Sequence, residues 1–206
     1  HAPIHELLAS DWAAVVDARG RSGSAALVMT SGNRSEEPVV IDDDDARARL
    51  ADLADALLGH DRRILMRADD SVLADNGPRP STPLRRSRGY SPASLALPHA
   101  VRPLLAVGGE VKAAFCLAVD GHAVLSPHIG DMENLETLDA FSASVDHFCR
   151  VFRVEPETYV CDAHPGYLSA RWAEQAAGRD VLRVQHHHAH AASLMAEHGL
   201  GLDDEL

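Results

Sequence analysis

Residues 104–126, LLAVGGEVKAAFCLAVDGHAVLS, are the stretch that decides the fold class. Three short apolar runs lie in it, separated by Gly108-Gly109 and by Asp120-Gly121. An Asp-Gly pair between apolar runs is a strong signal for a two-residue β-hairpin, because both turn positions require positive φ. The stretch therefore predicts three short strands, and the last two of them form a hairpin.

The residues that follow alternate between helical and strand patterns. Apolar residues at three-to-four spacing predict a helix from Leu135 to Phe152, and Thr158–Cys161 has the composition of a strand. A second helix is expected from Tyr167 to Ala177, ending at Gly178, and a second strand at Val181–Val184. A hairpin followed by β-α-β-α predicts an α/β domain with a partly parallel sheet.

The residues before this domain give weaker patterns. Ser24–Thr30 is apolar and partly β-branched, which predicts a buried strand that enters a turn. Four aspartates at Asp42–Asp45, followed by leucines at helical spacing up to Gly59, predict a helix. From Asn76 to Pro103 prolines and arginines replace any periodicity, which predicts a linker or an extended arm. Such an arm either folds over a nucleotide with its arginines or is a solvated connector.

Composition limits the class of function. Thirty-one acidic against nineteen basic residues give a formal net charge of -12, which disfavours general binding to nucleic acid. No run of about eighteen apolar residues exists, and no signal-peptide pattern opens the chain, so a cytoplasmic protein without a membrane span is expected. Cys116, Cys149 and Cys161 are widely spaced and odd in number, so they predict neither a disulfide framework nor a zinc-thiolate site.

Histidines are concentrated directly after the last predicted strand, with four of the chain's thirteen between His186 and His190. His186 and His190 are four residues apart, so on a helix they share one face and can chelate one metal ion. Open α/β sheets place ligands at the carboxyl ends of strands, where Asp162 and His164 also lie. Histidines that only satisfy local hydrogen bonds are the alternative, and a third ligand is not evident nearby.

Two turns carry residues suited to phosphates. Gly108 and Gly109 allow backbone N–H groups to approach a phosphate closely, and Lys112 adds a positive charge. Ser31 and Asn33 present a hydroxyl and a carboxamide suited to nucleotide oxygens. An ordinary hairpin turn and a plain polar turn are the alternative interpretations.

Seven segments resemble, in this order and spacing, the HypF carbamoyltransferase family. They are residues 27–40 (LVMTSGNRSEEPVV), 60–73 (HDRRILMRADDSVL), 83–93 (PLRRSRGYSPA), 105–119 (LAVGGEVKAAFCLAV), 125–139 (LSPHIGDMENLETLD), 162–174 (DAHPGYLSARWAE) and 184–200 (VQHHHAHAASLMAEHGL). Any one of these segments is weak, whereas seven in register are specific.

The resemblance implies an α/β fold in two parts. Residues 1–95 are expected to be the carboxyl-terminal part of a YrdC-like domain, which forms carbamoyl-adenylate from ATP and carbamate. Residues 96–206 are expected to be the first, incomplete lobe of a Kae1-like domain of the actin/Hsp70-type ATPase superfamily, which passes the carbamoyl group on. Because the family's chains are several times longer, the resemblance also implies a fragment with half-built sites that is inactive by itself.

The same resemblance implies the substrates, cofactors and partner. Carbamate derived from carbamoyl phosphate is activated with ATP and Mg²⁺ and transferred to the C-terminal cysteine thiol of a HypE-type acceptor protein, on the way to the cyanide ligands of nickel–iron hydrogenases. A divalent metal, Zn²⁺ or Fe²⁺, belongs to the Kae1-like site. The implied site residues are Ser31, Asn33, Arg86, Arg88, Gly108, Gly109 and Lys112 for the nucleotide, and His186 and His190 for the metal.

Three other functions are compatible with parts of this pattern. An O-carbamoyltransferase of secondary metabolism shares the paired domains but carbamoylates a sugar hydroxyl. The tRNA threonylcarbamoyl-adenosine pathway uses related domains, but it needs a basic face that the net charge disfavours. A non-catalytic, histidine-rich module would bind nickel or zinc at a stoichiometry above one.

Overall fold

The computed structural model describes residues 3–20, 26–35, 37–178 and 181–201. The chain divides into two compact units, His1–Ser31 and Gly32–Leu206. No helix among the described residues is long and apolar enough to cross a membrane.

In the first unit, helix α1 spans Pro3–Ala18 and buries none of its residues. The strand predicted at Ser24–Thr30 is wrong over its described part, since residues 26–30 form no strand and Val28 is fully exposed at 101%. The first two residues of that prediction lie outside the described residues. Extended backbone becomes a strand only when its N–H and C=O groups pair with a neighbour, and no described strand pairs with this run.

The second unit begins with a short helix and a hairpin. Helix α2 spans Asp43–Leu50, and the Asp42 carboxylate caps it by accepting hydrogen bonds from the Asp44 and Asp45 amides. The acidic start was predicted, but the helix ends well before Gly59, because the leucines at Leu53, Leu57 and Leu58 are exposed and have no surface on which to pack. Strands β1 (Val72–Ala74) and β2 (Thr82–Arg85) then pair in antiparallel fashion.

Six further strands form the main sheet. They are β3 (Ser94–Ala96), β4 (Leu104–Val107), β5 (Phe115–Val119), β6 (His122–Leu125), β7 (Thr158–Asp162) and β8 (Leu182–Val184). Their spatial order is β3-β6-β5-β4-β7-β8. The first four strands in this order pair in antiparallel fashion, and β4, β7 and β8 pair in parallel, so the predicted partly parallel sheet is confirmed. Asp120 and Gly121 have φ values of 50° and 80°, which confirms the two-residue hairpin between β5 and β6.

The core lies between this sheet and two helices. Helix α3 spans Leu135–Phe152 and is capped by Asn134, and helix α4 spans Leu168–Ala177 and ends at Gly178, in agreement with the sequence patterns. Phe115 of β5 packs edge-on against Phe141 and Phe148 of α3, and Trp172 of α4 packs edge-on against Phe141. Helix α5, His186–His198, follows β8 and buries none of its residues.

The arm between residues 76 and 103 is more structured than the prediction of a linker. It contains both β2 and β3, and β3 pairs with β6 at the edge of the main sheet. The Ser91 hydroxyl also donates to the Leu125 carbonyl at 2.7 Å, and the His128 amide donates to the Arg86 carbonyl at 3.1 Å. The predicted domain boundary between residues 95 and 96 falls within β3 and stays a prediction.

Candidate functional site

A cavity of about 260 Å³ lies at the carboxyl ends of β4, β7 and β8. Gly108 and Gly109 line it after β4, Asp162 at the last position of β7, and His186 and His190 at the start of α5. The parallel pairing of β4, β7 and β8 brings these three strand ends to one edge of the sheet. Open α/β sheets bind their ligands at such an edge, as expected from the sequence.

The two histidines predicted to share a helix face do so. The Nε2 atoms of His186 and His190 are 3.1 Å apart, and the other ring nitrogen of His186, Nδ1, lies 2.6 Å from a carboxylate oxygen of Asp162. Because Asp162 accepts a hydrogen bond at Nδ1, the proton of a neutral His186 ring lies there and the lone pair lies at Nε2. This is the orientation that a metal ligand requires.

Asp162 is well placed to hold that tautomer. Its side chain is only 8% exposed, and its other oxygen accepts a hydrogen bond from the His164 amide at 2.8 Å. Burial raises the pKa of Asp162, but the hydrogen bonds from His186 and from the His164 amide outweigh it, so the pKa lies below its usual range. The group is therefore a carboxylate at neutral pH.

The donor set fits part of a site for a divalent metal. Two imidazole nitrogens backed by a carboxylate are typical ligands of zinc or ferrous iron. Among the described residues, no group of three histidine, cysteine, aspartate or glutamate side chains is arranged to hold a metal ion. The described chain would therefore contribute two ligands to such a site, and metal binding stays a prediction.

The two glycines of the loop after β4 have different roles. The Gly108 amide donates to the Ala114 carbonyl at 2.9 Å, and a Cβ atom at Gly108 would lie 2.8 Å from that oxygen. Gly108 is therefore required by the close approach of two backbones, and its N–H is already used. A Cβ atom at Gly109 would instead meet Tyr167 at 3.6 Å and His186 at 3.8 Å, so Gly109 is the glycine that borders the histidines.

Glu110 holds this loop against the neighbouring helix. Its carboxylate accepts a hydrogen bond from the Leu168 amide at the start of α4 at 2.6 Å, and its carbonyl accepts one from Met132 at 3.0 Å. The ring of Tyr167, just before α4, stacks on His164 with centroids 4.2 Å apart. The sequence patterns indicated no role at the site for Glu110 or Tyr167, because Glu110 bonds to Leu168 and Tyr167 borders Gly109, each far away along the chain.

The charged residues that were predicted to contact a nucleotide lie apart from the histidines. Arg86 and Lys112 line a second cavity, of about 430 Å³. Arg88 pairs with Asp70 at 2.8 Å and is mostly exposed. These positions do not test the predicted contacts with a nucleotide.

Asn33 bonds within its own turn, whereas Ser31 lies in irregular, exposed backbone. The Asn33 amide nitrogen donates to the carbonyls of Arg34 and Glu37, each at 2.9 Å, while its oxygen is buried without a partner among the described residues. Ser31 is exposed in the first compact unit. The carboxamide therefore closes its own turn, and its role toward a nucleotide stays a prediction.

Two family models match the chain. One is described as the HypF Kae1-like domain and matches residues 99–197; the other is the Sua5/YciO/YrdC model, described as telomere recombination, and matches residues 2–87. The main sheet and the histidine helix thus define a Kae1-like domain of mixed α/β fold, and a YrdC-like domain precedes it. This confirms the predicted fold class.

The curated relatives and solved structures identify the family. Carbamoyltransferase HypF2 of Cupriavidus necator is 43% identical over 181 residues, covering 85% of this chain and 22% of that protein. Carbamoyltransferase HypF of Rhodobacter capsulatus is 39% identical over 203 residues, covering 96% and 26%. The crystal structure of full-length HypF in the phosphate- and nucleotide-bound form superposes with a TM-score of 0.77 at 41% identity, covering 84% of this chain and 27% of that one.

The chain belongs to the HypF family. A second solved relative, T. kodakarensis HypF, agrees, with a TM-score of 0.77 at 38% identity over 84% of this chain and 23% of that one. The chain spans between 22% and 26% of the length of the two curated relatives described above.

Proposed function

We propose that this chain is part of a cytoplasmic carbamoyltransferase that activates carbamate with ATP and transfers the carbamoyl group to an acceptor thiol. The curated relatives carry the name carbamoyltransferase, and one solved relative is described in a phosphate- and nucleotide-bound form. The acceptor implied by the family resemblance is the C-terminal cysteine of a HypE-type protein. No nucleic acid takes part, in keeping with the net charge of -12.

The first half-reaction makes the carbamoyl group transferable. A carbamate oxygen attacks the α-phosphorus of ATP, the bond to the β-phosphate oxygen breaks, and pyrophosphate leaves with Mg²⁺. Carbamate itself is a poor electrophile because its leaving group is an oxide, whereas AMP is a good leaving group. Ser31 and Asn33 are proposed to hold nucleotide oxygens in this step, with Arg86 and Arg88 as phosphate contacts.

The second half-reaction is assigned to the cavity at β4, β7 and β8. The acceptor thiol loses its proton to solvent, the thiolate sulfur attacks the carbamoyl carbon, and the carbon–oxygen bond breaks so that AMP leaves with the electron pair. His186 and His190 would hold a divalent metal, Zn²⁺ or Fe²⁺, which supplies Lewis acidity and a template for oxygen ligands when bound. Asp162 keeps the Nε2 atom of His186 free for this role, and Gly109 leaves room beside it.

The single observation that carries this proposal is the Asp162–His186–His190 arrangement. The carboxylate lies 2.6 Å from Nδ1 of His186, and the Nε2 atoms of the two histidines lie 3.1 Å apart. Both histidines line the same cavity as the glycine loop. A histidine pair that served only local hydrogen bonding would not need its tautomer set by a buried carboxylate at a strand end.

Metal binding tests the second site directly. In the protein that carries this chain, we expect equilibrium dialysis to find one Co²⁺ or Zn²⁺ ion at this site, lost in His186→Ala with His190→Ala and retained in the matched pair His187→Ala with His188→Ala. Asp162→Asn should weaken the affinity by roughly 10- to 100-fold. Binding that survives the first pair, or a stoichiometry above one that needs all four histidines, would replace the proposal with a histidine-rich metal module.

The first site is tested by ATP–pyrophosphate exchange that depends on carbamoyl phosphate, in the protein that carries this chain. Ser31→Ala with Asn33→Ala should abolish the exchange while metal binding stays as in the wild type. Unchanged exchange in this variant would show that Ser31 and Asn33 do not form the adenylate site.

A further inference from the structure

Helix α5 carries both histidines of the candidate metal site, but it buries none of its residues. Helices of globular proteins are usually held in place by an apolar face that packs on a core. Helix α5 is instead tied to other elements by side-chain contacts near both of its ends. His186, its first residue, bonds to Asp162 at 2.6 Å. Glu197, its last residue but one, pairs with Arg86 of the arm at 3.2 Å.

Glu197 lies on the same face of α5 as the two histidines. His190 and Glu197 follow His186 by four and eleven residues. At about 100° per residue, the three side chains fall within an arc of about 40° around the helix axis. The Asp162 bond and the Arg86 ion pair therefore hold one face of the helix at its two ends, which fixes its rotation about its own axis.

This rotation matters most for His190. Among the described residues, the ring of His190 bonds to His186 and to no other element. The ring of His186 is oriented by the Asp162 carboxylate, whereas the direction of the His190 ring depends on how the helix is turned. A second contact that fixes the rotation therefore acts on the relative positions of the two ligands.

The backbone around Arg86 is a firm base for this contact. The Arg86 carbonyl accepts a hydrogen bond from the His128 amide at 3.1 Å, which ties it to the segment after β6. Ser87, the next residue, is fully buried, and its amide donates to the Ser71 hydroxyl at 2.9 Å. The guanidinium thus extends from a backbone that is held by the main sheet and by the segment entering β1.

The exposure of the ion pair limits its strength. The side chains of Arg86 and Glu197 are 26% and 42% exposed, so solvent screens part of their attraction. Pairs of this kind change an equilibrium by about two- to fivefold. Such an effect is small for the stability of a whole domain, but a binding site depends on ligand positions that are fixed to within about 0.5 Å.

We propose that Glu197 is a positioning residue for the histidine pair, because its ion pair with Arg86 sets the rotation of α5. The inference rests on the proposed function, in which His186 and His190 hold a divalent metal. Glu197 acts through these histidines and not on the reacting atoms. The arm is thereby part of the support of the metal site, although it lies before the main sheet in the chain.

Two variants of the protein that carries this chain test the effect on affinity. Glu197→Gln removes the charge and keeps the shape of the side chain. Asp52→Asn is the matched control, since it removes one carboxylate from another exposed ion pair, with Arg34 at 2.6 Å. In equilibrium dialysis, we expect Glu197→Gln to weaken Co²⁺ binding by about two- to fivefold and Asp52→Asn to leave it unchanged.

The visible spectrum of bound Co²⁺ separates positioning from stability. Its bands depend on the arrangement of the ligands, so they should change in Glu197→Gln even at saturating Co²⁺. A variant that is only less stable would keep the wild-type spectrum. Exchanging the two charges, as Arg86→Glu with Glu197→Arg, should restore the spectrum and most of the affinity, whereas each reversal alone should weaken binding.

Amide hydrogen exchange supplies a readout that needs no metal. In the metal-free protein, exchange within residues 190–198 should be about two- to fivefold faster in Glu197→Gln and should return to the wild-type rate in the charge-exchanged pair. None of these readouts involves a nucleotide, so the nucleotide contact that the family resemblance implies for Arg86 does not enter.

The outcomes separate this inference from the proposed function. If the wild-type protein binds no Co²⁺, the proposed transfer site fails, and hydrogen exchange in α5 decides the role of Glu197. Wild-type affinity, spectrum and exchange in Glu197→Gln overturn that role. A charge-exchanged pair that recovers nothing overturns it as well, because the losses then have another cause than the ion pair. If circular dichroism shows that the reversals misfold, Glu197→Gln decides.

Discussion

The segment from residue 32 to 75 and the main sheet with its helices both contain many leucines, but the buried leucines of the described residues, Leu105 and Leu117, both lie in the second region. Fourteen of the seventeen buried apolar residues of the described chain form one cluster between Leu105 and Ala173. In the first region Leu53, Leu57 and Leu58 are exposed by 46% or more. Apolar content therefore does not make a core unless neighbouring strands and helices supply the opposing surface.

A pair of leucines gives the sharpest form of this comparison. Leu105 is 0% exposed and Leu58 is 87% exposed, so the same substitution samples both regions. Leu105→Ala should lower the free energy of unfolding by about 2 to 5 kcal/mol, because it leaves a cavity in the core. Leu58→Ala should change it by less than about 0.5 kcal/mol. Urea denaturation of both variants checks this; equal effects would mean that the first region packs in solution.

The loop after β4 offers a matched pair of glycines. Gly108→Ala should destabilise the sheet region by about 1 to 3 kcal/mol, because the new Cβ lies 2.8 Å from the Ala114 carbonyl oxygen, a backbone atom. Gly109→Ala meets only ordinary contacts at 3.6 Å or more and should be close to neutral for stability. Thermal unfolding measures both. A neutral Gly108→Ala would show that the β4–β5 connection yields easily.

Cys116, in β5, probes how well the sheet excludes water. Burial raises the pKa of this thiol to about 11, above its ordinary value of 9.0. Above about pH 9 the thiol ionises in the unfolded chain but not yet in the folded one, which favours unfolding. The free energy of unfolding should therefore fall by about 2 to 3 kcal/mol between about pH 9 and pH 11. Urea denaturation against pH measures the loss, and Cys116→Val should reduce it. The same slope in the variant would show that other groups cause it.

Helix caps give the smallest contrast. Asn134 caps α3 by accepting a hydrogen bond from the Thr137 amide at 2.7 Å, and Asp42 caps α2 in the other region. Asn134→Ala should cost about 1 kcal/mol of global stability, because α3 carries much of the core. Asp42→Ala should leave the free energy of global unfolding nearly unchanged and should instead speed amide hydrogen exchange within α2. A global loss of equal size would mean that α2 unfolds together with the sheet.

Local patterns predicted the elements whose causes are local. The Asp120-Gly121 turn, the amphipathic helix of residues 135–152 and the glycine stop at residue 178 all depend on neighbours within a few residues. The strand predicted at residues 24–30 and the long helix after Asp45 failed, because both needed a distant surface that the described residues do not provide. Strand β3 was missed because it is a strand only through its pairing with β6.

The candidate site divides in the same way. The spacing of His186 and His190 indicated one helix face, and the family resemblance indicated the glycine loop and the arginines. The roles of Asp162 and Glu110 did not follow from either, since each acts on a residue at least 24 positions away.

The sequence by itself determined the family, the hairpin, the α/β class and the histidine pair, because seven ordered segments and short-range spacing are sufficient for those. Only the tertiary structure decided which glycine borders the histidines, which carboxylate sets their tautomer, and that Arg86 and Lys112 face one cavity while Gly109 and the histidines face another. The physical reason is that parallel strands bring their ends together across long connections. Hydrogen bonds and charges between those ends depend on distances that no local spacing encodes.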